Sequence, residues 1–163
     1  MRYVFILLAL LFFVHAPAQD KTVLKKQMME LLLAYPNKFR DIKNDGFAYE
    51  FKLTGTTGET SKQLRGDTLT ASISIKLARG GTEEETNAVY NKWSDLIDNV
   101  DFNGARLTGK NKTGDSKFSS KSKIWKLDNS SANIDRKYLG FSVSLEVLKI
   151  GSTYHPFLVV GDE

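Results

Sequence analysis

Between residues 138 and 150 the chain reads "YLGFSVSLEVLKI", and this stretch limits the possible folds more than any other. Leu139, Phe141, Val143, Leu145 and Val147 alternate with small or polar residues. Successive side chains of a strand point to opposite faces, so a period of two describes a strand with one face in a core and one face wet. Two further segments repeat the pattern. In "FAYEFKLT" (47–54) the apolar set is Phe47, Tyr49, Phe51 and Leu53, and in "TLTASISIKLA" (68–78) it is Leu69, Ala71, Ile73, Ile75 and Leu77. Strands of this kind build an antiparallel sheet whose core face must be covered.

Two amphipathic helices supply the cover. In "TVLKKQMMELLLAY" (22–35), Leu24, Met28, Leu31, Leu32 and Tyr35 recur at intervals of three and four, and Pro36 ends the pattern. Phe39 and Ile42 in the connector that follows are expected in the core, and Asn44-Asp45-Gly46 signals a turn. In "GGTEEETNAVYNKWSDLIDNV" (80–100), Val89, Trp93, Leu96, Ile97 and Val100 form the apolar stripe. Thr82 and Glu85 are spaced as a capping box, and three consecutive glutamates suit the positive end of the helix dipole.

The other expected strands are a short one around Ala105–Thr108, "KIWKLD" (123–128) and "YHPFLVV" (154–160), the last joined to its predecessor by a turn at Gly151-Ser152. Pro156 lacks an N–H for a ladder, which predicts an edge or bulged strand there. The "GTTGET" and "RGD" segments read as one hairpin loop, and Gly109 to Ser122 as a second loop. The expected fold is α+β: two helices packed on one face of an antiparallel sheet of about five strands.

The N-terminus reads as an address. Arg2 is followed by an apolar run from Tyr3 to Val14, and Ala16-Pro17-Ala18 places small residues where a signal peptidase reads. The run is shorter than the roughly 20 residues of a spanning helix. The expectation is a signal peptide over 1–18, cleaved near Ala18, and a single α+β domain over 19–163 that is periplasmic or secreted without a transmembrane anchor. The chain has no cysteine, which fits a bacterial exported domain better than a small eukaryotic secreted one. Its net charge of +4 is too small to imply nucleic acid.

The helix and connector "MMELLLAYPNKFRDIKND", followed by an aromatic-rich strand, resemble small exported bacterial proteins of unknown function that carry a "P-N-x-F-x-x-I-K" connector. The resemblance implies a kind of domain and carries no catalytic residues.

Catalytic equipment is scarce. Of two histidines, His15 lies in the signal segment, which leaves His155. Without cysteine, Cys–His catalysis and the usual zinc sets are excluded. No phosphate-binding loop, dinucleotide fingerprint, nucleophile elbow or H-E-x-x-H motif occurs. "DNVDFNG" (98–104) lacks the glutamate that a calcium loop requires. No metal or cofactor is expected.

The leading expectation is therefore a non-enzymatic exported protein that binds an unknown partner protein or ligand in the periplasm or outside the cell. Two alternatives stand beside it. Lys110, Lys112, Lys117, Lys121 and Lys123, with Trp125 among them, form a segment suited to anionic polymers or an envelope surface. A hydrolase would use His155 or paired carboxylates.

Overall fold

The computed structural model describes residues 20–42, 48–65, 67–102, 105–111, 119–127 and 135–162. The signal segment, the Asn44-Asp45-Gly46 turn, Gly66 of "RGD", Lys112 and Lys117 lie outside the described residues.

Helix α1 runs through residues 20–34 and buries Leu24, Met28 and Leu31 completely. A 3-10 turn, Tyr35–Asn37, takes up Pro36 and ends the helix. Lys38 and Phe39 then both adopt positive φ (53° and 57°). That conformation costs a non-glycine residue roughly 1–2 kcal/mol. It is offset by the complete burial of the Phe39 ring and by the bond from the Phe39 N–H to the Ala34 carbonyl at 3.0 Å.

The strands are β1 (Ala48–Phe51), β2 (Thr56–Arg65), β3 (Thr68–Lys76), β4 (Asp101–Phe102), β5 (Ala105–Asn111), β6 (Ser119–Leu127), β7 (Phe141–Ile150) and β8 (Thr153–Asp162), with helix α2 (Glu83–Asp98) between β3 and β4. They form one eight-stranded sheet in the order β1-β2-β3-β8-β7-β6-β5-β4, antiparallel at every pairing. Two meanders, each preceded by a helix, are joined where β8 pairs with β3.

The class is α+β, but the expected count of about five strands is corrected to eight. Strand β2 covers the segment read as a hairpin loop. Its core-facing positions are Gly58, Thr60 and Lys62, opposite Ile75, Ile73 and Ala71. An apolar period of two is therefore missing. Gly58 stands there because Ile73 and Ile75 fill the space: a Cβ would lie 2.8 Å from both side chains. Strands β5 and β6 extend into the segment read as a loop, and β4 is only two residues long.

Pro156 brings a second correction, because β8 is a central strand. Its carbonyl accepts from the Leu77 N–H at 3.0 Å, on the side of β3. The N–H and C=O of one strand residue point to the same neighbour. The missing donor therefore also faces β3, and the regular β3–β8 ladder ends at Lys76 and Phe157. No regular pairing is broken.

The core lies between one sheet face and both helices. Register places Thr60, Ile73, Val160, Val143, Trp125 and Gly109 in one row across six strands. Trp93 of α2 meets Phe51 at 5.5 Å between ring centroids. Tyr35, after α1, meets Phe141 edge-on at 5.5 Å and 79°. Burial of each such aromatic side chain contributes about 1.5–3 kcal/mol. Among the described residues no helix is long and apolar enough to cross a membrane.

Candidate functional site

Strand alternation divides the lysine-rich segment. Lys121, Lys123 and Trp125 of β6 point to the helix face, while Lys110 of β5 shares the opposite face with Ile124. The lysines singled out in the sequence are thus not gathered on one described surface. Lys123 Nζ donates to both oxygens of Asp98, at 2.9 and 2.7 Å, and to Ser94 Oγ at 3.1 Å. It also stands 4.8 Å above the Trp125 ring. The fully buried Trp125 indole N–H donates to Asp98 Oδ1 at 2.7 Å. Lys121 bonds Asn91 Oδ1 at 3.3 Å and lies 4.3 Å over the Tyr90 ring.

Asp98 closes α2, where a carboxylate opposes the helix dipole and no basic residue occupies the last turn. The compensating charge comes from β6. Burial pushes the Asp98 carboxyl up. The hydrogen bonds from Lys123 and Trp125 and the Lys123 charge outweigh burial and hold it below the usual carboxylate range. An anion at Lys123 would compete with a carboxylate already in place. The sequence held a signal for this contact, since an acid at a helix C-terminus asks for a cation from elsewhere.

A second polar cluster was not legible. Asp162, at the end of β8, accepts from the Tyr35 hydroxyl, from Lys38 Nζ at 3.0 Å and from the Ala71 N–H at 2.7 Å. Burial raises the Asp162 carboxyl. These donors and the Lys38 charge more than offset it, so the group is held low. Tyr35 moves the other way, its hydroxyl pushed well above the usual phenol range by burial and by the Asp162 carboxylate. Beside the cluster lies a cavity of about 390 Å³, walled by Leu127, Tyr138, Leu139 and Phe141 and rimmed by Thr70 and Lys126. Tyr35 and Asp162 are 127 positions apart, and no sequence pattern links them.

His155 is half-buried on β8, with Nε2 2.9 Å from Thr153 Oγ1 and its ring against Gly80. Among the described residues no carboxylate bonds it. Ser152, the nearest serine in sequence, is exposed in the turn before β8. Among the described residues no three of His, Cys, Asp and Glu converge on a metal position.

The largest feature not absorbed by the fold is the other side of the sheet. Both helices lie on one face. On the opposite face, register sets Glu59, Ser74, Val159, Ser144, Ile124 and Lys110 in a single row. Phe157 lies in the row beside it and Leu148 in the next, and both, like Val159 and Ile124, are half-buried. Ile150, at the end of β7, is 58% exposed. Serines lie between these apolar residues, so the face is only partly polar. Comparison with protein-family models, with curated proteins and with solved structures finds no match.

Proposed function

We propose that the chain is a non-enzymatic exported protein that docks a partner protein through the uncovered face of its sheet. One observation carries this reading. Among the described residues the eight strands have helices on one side only, and the central strands of the other side carry Ile124, Leu148, Phe157 and Val159. A patch of apolar side chains set among serines and Glu146 suits a docking surface better than a chemical site. The engagement of the polar groups supports the non-enzymatic half. Asp98 is held by Lys123 and Trp125, Asp162 by Tyr35 and Lys38, and Glu85 by the helix cap. Export rests on the N-terminal sequence.

The test is affinity capture of the tagged full-length protein from its own cell envelope, beside a Phe157→Lys variant. A discrete partner held by the parent and lost by the variant is the expected result. The same partner held equally by both would remove the sheet face from the reading. Mass analysis of the captured chain reads the cleavage near Ala18 in the same sample.

A further inference from the structure

The uncovered face is self-complementary, and this deepens the docking reading on which it rests. Its central row runs from Ala48 on β1 through Glu59 on β2 to Lys110 on β5. Ser74, Val159, Ser144 and Ile124 lie between Glu59 and Lys110. From β2 to β5 the row is acidic at one side, basic at the other and uncharged between. A two-fold axis parallel to the strands, midway between β8 and β7, reverses it. A second copy then sets its Lys110 over Glu59 and its Glu59 over Lys110. Val159 meets Ser144 at the centre, and Ile124 meets Ser74.

In the neighbouring row the charges are offset by one strand, with Ser122 of the second copy over Lys76. Lys76, Phe157 and Glu146 are consecutive across β3, β8 and β7. The same axis lays Glu146 of one copy over Phe157 of the other, one strand from Lys76, within reach of a lysine side chain. Sheets packed face to face tilt by about 30° because each is twisted, which leaves the centre of both rows in contact.

We infer that this face is an interface with a second copy of the chain. Area sets the expected strength. Six strands spaced by roughly 4.8 Å and about six residues long at roughly 3.3 Å each give on the order of 500 Å² per copy. Stable interfaces bury about 800 Å² per partner, and about 1,000 Å² in total is the lower limit. The interface is therefore near the lower limit of stable ones, and the dimer is expected to dissociate on dilution.

Sedimentation velocity of the purified protein over a concentration series up to about 1 mM tests this. The expected result is a monomer–dimer equilibrium that added salt weakens. Glu59→Lys and Lys110→Glu should each weaken it about tenfold, since each reversal sets two like-charged pairs in contact. The double variant Glu59→Lys/Lys110→Glu should return to within about threefold of the parent, because the charges are exchanged and not removed. A monomer at every concentration overturns the inference. So does a dimer indifferent to the single reversals, or a double variant no better than either one. If a different protein is captured and lost with Phe157→Lys while the purified chain stays monomeric, the docking face stands and the second copy does not.

Discussion

Asp98 shows how one side chain couples a helix to the sheet beneath it. Its carboxylate is the acceptor for a buried indole and the counter-charge for Lys123. Truncation would strand the Trp125 N–H in the core, and an unsatisfied buried donor costs about 1–3 kcal/mol. Asp98→Ala is expected to lower unfolding free energy by about 2 kcal/mol in urea titration. Lys123→Ala should cost less, because it leaves the indole bond in place. If the two variants prove equally mild, the indole bond is not what Asp98 provides. Gly109 makes a sharper case. It stands opposite Trp125, where a Cβ would lie 2.5 Å from the indole nitrogen. Gly109→Val should destabilise by about 1–3 kcal/mol through overpacking and shift Trp fluorescence. An unchanged emission maximum would mean that the ring does not occupy that space.

At the scale of elements, α2 was the most legible part of the chain. Thr82 Oγ1 accepts from the Glu85 N–H at 3.3 Å, and Glu85 Oε2 accepts from the Thr82 N–H at 2.9 Å. Both partners are local, so their spacing in sequence was sufficient. Thr82→Ala is expected to cost about 1 kcal/mol, seen as a lower melting temperature with the sheet unchanged by circular dichroism. Strand β2 was illegible for the opposite reason. Its core face contains Gly58 because Ile73 and Ile75 of β3 reach across it. The apolar material of that row belongs to the neighbouring strand, and no local pattern records it. Pro156 misled in the same way. Its tolerance in a central strand depends on where the β3 ladder stops.

At the scale of the molecule, the two carboxylate clusters tie distant parts of the chain together, and pH reads both. Asp98 and Asp162 are each held below their unfolded value. A depressed carboxyl stabilises the fold above its unfolded pKa, near 3.9 for Asp, and that contribution fades as pH falls through the lower folded value. Stability owed to these groups should therefore be level from about pH 7 to 5 and decline below about pH 4. Asp162→Asn should flatten the acid limb of a urea-unfolding series. An unchanged limb would show that Asp162 has no part in it.

By itself the sequence determined the class of the fold, both helices with the cap of α2, and three strands with strong alternation, because all of these are written in intervals of a few residues. The tertiary structure alone decided how many strands there are, which of them are central, and which lysines face the helices. It also brought Tyr35 and Lys38 to Asp162, and Glu59 and Lys110 to opposite sides of one row. Those outcomes depend on pairing between segments far apart in the chain. Strand register fixes them by setting which side chains share a face, and register is a property of the assembled sheet.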